Sequence, residues 1–176
     1  MPVMKMDETK MKEAADIIRD AGGRVVGRTR LQKMAYLLEI TGLGSDFSFE
    51  YRHYGPFSEE LASAVEDAQL WDLISEEERP TTWGGYYSLY TAGASVAKAD
   101  VNPARKELIR TAKGANPIEL ELAATAAFLK AVENVPDPWE ETARRKPEKA
   151  AKSLANAKVL YEKLRLVKTP KPLPAI

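Results

Sequence analysis

A mostly helical α+β fold is predicted by three observations. Apolar residues recur at helical spacing through much of the chain, in segments bounded by capping residues, glycine or proline. One short stretch, Phe47, Phe49 and Tyr51, alternates with polar residues at period two, as a half-buried strand does. Two further β-prone stretches flank a loop that contains Pro80, Gly84 and Gly85, which predicts a hairpin.

The first helix is predicted over 7–21. Asp7 is its cap, and Met11, Ala14, Ala15 and Ile18 share one face. Gly22 and Gly23 stop it. A short 24–27 connection follows. The second helix is predicted to start at Thr29, with Thr29 and Gln32 spaced as a capping box. Leu31, Met34, Ala35 and Leu38 form its inner stripe, and Gly42 and Gly44 end it. The 47–52 strand then runs into a turn at Gly55-Pro56. Ser58 caps the third helix, with Glu59 and Glu60 in its positive first turn. Its expected inner face is Leu61, Val65, Ala68 and Trp71. The hairpin pairs 73–77 with 86–90. Helix, helix, strand, helix, hairpin is the order of a winged-helix domain, expected over 5–92.

The second half, 93–166, reads as a helical extension packed on the first. One helix is predicted from Thr91 to about Lys98 and another, opened by Pro103, over 104–112. Asn116-Pro-Ile-Glu119 caps a helix that runs to Val132. Asp137 caps a short one. Pro147 opens the last, with the stripe Leu154, Ala157, Tyr161 and Leu164. The 167–176 segment carries Pro170, Pro172 and Pro174, cannot be helical, and is expected to be a mobile tail.

Composition narrows the function. The chain has 176 residues, equal numbers of acidic and basic side chains, no cysteine and one histidine. It therefore offers no thiolate metal site or cysteine nucleophile. No phosphate-binding glycine loop or nucleophile elbow occurs. The expectation is a non-enzymatic protein without cofactor or metal. It lacks a secretory leader or an apolar run long enough to span a membrane, so a cytoplasmic location is expected.

The candidate recognition residues are Arg28, Arg30, Lys33, His53, Tyr54 and Phe57. The arginines and Lys33, with Arg24, cluster around the start of the second helix. They read first as a solvated loop, next as a patch for an acidic protein surface and last as a contact for phosphate backbone. His53 reads as a turn-fixing residue, next as a recognition residue and last as a catalytic base. Trp83, Tyr86, Tyr87 and Tyr90 alternate faces along the hairpin, half of them core. Glu59, Glu60 and the run 76–78 sit where a winged helix would meet phosphates, which places DNA second to protein as a partner.

Arg30-Leu-Gln-Lys-Met-Ala-Tyr36 resembles the Lys/Arg-Leu-Gln-Lys-Leu-x-Tyr segment of SocA-type (Panacea) antitoxin domains. Tyr54-Gly-Pro56 resembles their aromatic-x-Gly-Pro turn. The longer form His53-Tyr-Gly-Pro-Phe-Ser-Glu-Glu-Leu61 is closer to the YwgA-like group of uncharacterised bacterial proteins. The resemblance covers roughly residues 10 to 92. It implies a protein that binds another protein directly, as an antitoxin against a toxin or as a proteolytic adaptor. The alternative is a winged-helix transcription regulator that dimerises through its C-terminal helices.

Overall fold

The Asp7 carboxylate accepts from the amides of Thr9 and Lys10 and so opens α1 (Glu8–Asp20) where its side chain predicts. The structure, a computed structural model, describes residues 7–94, 96 and 101–176. After α1 come β1 (Arg24–Val26), α2 (Arg28–Ile40), β2 (Glu50–Arg52), β3 (Gly55–Phe57), α3 (Glu59–Leu70), β4 (Ile74–Pro80) and β5 (Tyr86–Ala92). The second half is α4 (Pro103–Lys113), α5 (Pro117–Ala131), α6 (Pro138–Arg145) and α7 (Pro147–Arg165). The fold is thus α+β and mostly helical.

Two antiparallel sheets hold the strands. One has the order β1-β5-β4, and the other is the β2-β3 pair. The 24–27 connection therefore contains a strand: Val25 lies opposite Tyr90 and is buried. At three residues it is too short to show a period. Gly55-Pro56 does not simply end a strand either. It lies within β3, which returns along β2 after the two-residue turn His53-Tyr54.

Helix α5 is the centre of the molecule. Every residue from Leu120 to Leu129 is buried, so the helix has no wet face. It packs on α2, α6, α7 and β3. Alanine at 123, 124, 126 and 127 lets these neighbours come close. One apolar cluster joins both halves: Ile18, Leu37 and Leu61 from the first, Leu120, Phe128 and Tyr161 from the second.

Polar ties reinforce this. Arg105 on α4 bonds Asp20 at 2.8 Å, Glu13 at 2.9 Å and the Leu43 carbonyl at 2.8 Å. It therefore fastens α4 to α1 and to the loop after α2.

Three expectations are corrected here. Trp71 is 62% exposed: α3 ends at Leu70, and Trp71 is its C-cap rather than a member of the buried stripe. Thr91 and Ala92 belong to β5, and Gly93, Ala94 and Val96 are not helical either, while 95, 97 and 98 of the predicted 91–98 helix lie outside the described residues. The tail expected to be mobile is irregular but packed: Leu173 is buried, the Lys171 amide donates to the Thr41 carbonyl at 2.9 Å, and the Tyr161 hydroxyl donates to the Pro174 carbonyl.

Candidate functional site

The two sequence segments that stand out, 28–39 and 49–61, meet face to face. Gln32 is buried and makes two bonds to one residue. Its Nε2 donates to the Ser58 carbonyl at 3.0 Å, and its Oε1 accepts from the Ser58 amide at 2.8 Å. Ser58 in turn caps α3, its hydroxyl accepting from the Leu61 amide at 3.1 Å. Next along α2, Lys33 Nζ donates to the Pro56 carbonyl at 2.8 Å.

The capping box expected for α2 is therefore absent. The helix starts at Arg28 behind Gly27 at φ 98°, no side chain caps it, and Gln32 reaches across to Ser58. A buried Gln32 must satisfy both ends of its amide, and the Ser58 backbone offers one donor and one acceptor side by side. Gln32→Met, close in volume but unable to bond, is expected to cost about 1–3 kcal/mol in urea denaturation.

Lys33 is 1% exposed, and its ammonium is influenced by buried Glu121 and Lys146 and by half-buried Lys149. Glu121 Oε2 lies 2.7 Å from Lys149 Nζ and 3.7 Å from Lys146 Nζ. Lys146 Nζ also donates to the His53 carbonyl at 2.8 Å. Burial lowers Lys33 from its ordinary 10.5 to about 8, and lowers Lys146 as well.

This has a sign that can be measured. Below about pH 8 both states carry the Lys33 proton, and the folded state bears the cost of burying an ammonium. Above that pH the unfolded chain binds the extra proton, so stability rises with pH. Tyr36, Tyr90 and Tyr161 are raised by burial, and their effect of opposite sign begins only near pH 10. Between about pH 8 and 10 the protein is therefore expected to gain stability relative to Lys33→Met, by up to roughly 3 kcal/mol. Melting curves of both proteins across this range check it, and a constant difference would be inconsistent with a buried ammonium.

The six predicted recognition residues are not one surface. Lys33 is interior. Arg30 is half-buried and serves as a bracket: its guanidinium donates to the carbonyls of Lys113 at 2.7 Å and Ala115 at 2.6 Å, beyond the reach of any partner that needs it free. Burial lowers its pKa. Arg28 is exposed and pairs with Glu76 at 3.2 Å and Glu78 at 3.4 Å. Arg28 and Phe57 both line a cavity of about 240 Å³ between α2, α3 and the hairpin, with Leu61, Val65 and Tyr90. His53 and Tyr54 lie elsewhere, at the β2-β3 turn, their rings edge to face at 4.7 Å. Lys149 sits over the Tyr54 ring at 4.9 Å.

Two features escaped the sequence reading. One is the lysine cluster around Glu121, whose members lie far apart in the chain. The other was visible: residues 54–78 contain eight acidic residues and no lysine or arginine. The net charge of zero conceals this segregation. On that segment and the hairpin beyond it, Leu70 is 77%, Trp71 62%, Trp83 78% and Tyr86 74% exposed. Among the described residues no group of acids and histidine is arranged to hold a metal ion, and no helix is long and apolar enough to cross a membrane.

No protein-family model matches the chain. It is 30% identical over 132 residues to the uncharacterised protein YwgA of Bacillus subtilis (strain 168), which covers 70% of this chain and 78% of that protein. That span is too long to rest on the 28–61 motifs alone and extends beyond the 5–92 region. On this similarity the chain belongs to the YwgA family.

Proposed function

We propose that the protein is a protein-binding module of the antitoxin or proteolytic-adaptor type, in keeping with its resemblance to SocA-type domains. It engages its partner through α3 and the β4–β5 hairpin. The observation that carries this reading is the exposure of Leu70, Trp71, Trp83 and Tyr86 beside an acidic stretch without basic residues. Large aromatic side chains held in water favour an interface, where they bury area and keep a polar handle. The acidic surroundings favour a basic partner and speed its approach. Arg28 and Phe57, which line the groove beside α3, remain in this surface, whereas Arg30 and Lys33 are spent inside the fold.

The test is co-purification with the product of the adjacent gene, followed by titration. Trp83→Ser and Tyr86→Ser alter exposed side chains, so the fold is spared, and each is expected to weaken the complex at least about tenfold. Unchanged affinity in both would remove the hairpin from the interface.

A second reading has its own support. The order α1-β1-α2-α3-β4-β5, with the sheet β1-β5-β4, suits a winged-helix DNA-binding protein with β2-β3 inserted before its third helix. Against it, α3 exposes Glu59, Glu60 and Glu66, and the hairpin exposes Glu77 and Glu78. A gel-shift titration on the protein's own promoter at low salt separates the two. A shift that weakens steeply with salt would replace the first reading with the second.

A further inference from the structure

The chemistry around Glu121 is unbalanced. Three ammonium groups, on Lys33, Lys146 and Lys149, surround one buried carboxylate. The neighbouring Arg144 and Arg145 do not disturb this sum, because Glu141, which pairs with both, and Glu133, at 3.1 Å from Arg145, match them. Glu148 stands at the mouth of the site, exposed and screened by water. The cluster thus holds a surplus of about two positive charges, and buried charge is retained only where it is compensated.

Above the cluster lies an open cavity of about 580 Å³, lined by Tyr51, His53, Arg145, Lys146, Glu148 and Lys149. Its floor is the start of α7. Lys146 is the N-cap of that 19-residue helix, and no side chain caps it; Pro147 at its first position has no N–H and the Lys146 amide donates to the Thr142 carbonyl, so the amides the helix start offers are those of Glu148 and Lys149. Lys149 Nζ donates to Glu121 and lies over the Tyr54 ring, and Lys146 Nζ donates to the His53 carbonyl and pairs with Glu121 at 3.7 Å. Each ammonium carries three donors, so donors remain for a ligand. The ring of Tyr51 forms an aromatic wall and already faces the Arg145 guanidinium at 4.8 Å.

We propose that this cavity binds a small-molecule phosphomonoester. Lys146, Lys149 and the first amides of α7 hold the phosphate, and Tyr51 and His53 flank the organic part. A phosphomonoester carries close to two negative charges near neutral pH and several acceptor oxygens. That charge matches the surplus. A carboxylate would balance half of it.

The experiment is a titration of the full chain with inorganic phosphate and, separately, with adenosine monophosphate, against sodium chloride of equal ionic strength. Melting temperature and isothermal calorimetry are the readouts. Millimolar phosphate is expected to raise the melting temperature where chloride does not. Lys149→Met is expected to weaken binding at least about tenfold, and exposed Lys106→Met on α4 to leave it unchanged. Lys149→Gln, which keeps a polar group at the half-buried position, repeats the test if the methionine variant does not fold. Tighter binding of the nucleotide than of phosphate would assign the site to a phosphorylated molecule with a planar ring, and equal binding would assign it to the phosphate group alone. No heat and no melting shift with either ligand, or equal binding by wild type and both Lys149 variants, would overturn the proposal.

Discussion

Glu121→Gln is expected to lower the stability of the fold by about 3–5 kcal/mol, the cost of removing one partner from a buried ion pair. The substitution keeps the shape and deletes the charge. Glu121 is 2% exposed, and it is the carboxylate that Lys149 touches at 2.7 Å and Lys146 approaches at 3.7 Å. Without it, two lysines that are themselves at most 8% exposed, Lys33 and Lys146, keep their charge in a poorly solvated interior. A domain of this size has about 5–15 kcal/mol in total, so the variant lies near the edge of folding. Its pH dependence is diagnostic. Glu121 holds the pKa of Lys33 up, and without it Lys33 loses its proton more readily. The variant should therefore recover stability from neutral pH upward, beginning below the wild-type threshold of about pH 8. Urea denaturation at several pH values measures both effects. A loss under about 1 kcal/mol would mean that water reaches the lysines and compensates them.

Gly55→Ala is expected to cost about 2–5 kcal/mol, from two separable causes. Gly55 has φ 88°, a conformation that strains any residue with a Cβ by about 1–3 kcal/mol. A Cβ there would also lie 2.5 Å from Thr125 Oγ1 on α5, and crowding a packed interior costs about 1–3 kcal/mol. Thr125 is β-branched and on a helix, so it has little freedom to move aside. The two causes can be split by Thr125→Ala. In that background the clash disappears and the strain stays, so Gly55→Ala should cost less there. Equal costs in both backgrounds would show that the close approach of β3 to α5 is not what requires glycine. The turn at Gly55 presents the Pro56 carbonyl to Lys33 and the Ser58 backbone to Gln32, so a failure here also loosens the entry to α3.

Local signals in the sequence are reliable where one residue decides a local outcome. Asp7, Ser58, Asn116 and Asp137 cap the helices their side chains announce. Proline opens α4, α5, α6 and α7. The hairpin falls where its two β-prone stretches flank a glycine loop, although β4 runs on to Pro80. In each case the determinant and the structure lie within a few residues of one another.

Local spacing misleads where a residue satisfies a partner far along the chain. Gln32 carries the spacing of a capping box but answers to Ser58. Arg30 looks like a surface cation but closes the end of α4. Lys33 looks like a third member of that patch but is buried against Pro56. The tail has the composition of a mobile segment but finds Thr41 and Tyr161 to bond. Of the six recognition residues, only Arg28, His53, Tyr54 and Phe57 keep surface to offer, and they divide between two places.

By itself, the sequence determined the helical periodicity, the caps, the hairpin, the family-like motif pair and the acidic stretch at 54–78. These depend on residues close together in the chain, where spacing alone fixes which side chains meet. Only the tertiary structure decided that α5 would be central, that the motif pair would lock α2 to β3, and that buried Lys33, Glu121 and Lys146 would meet half-buried Lys149. A charge becomes costly or useful according to what desolvates and faces it, and for these four residues that environment is assembled from α2, α5 and the start of α7.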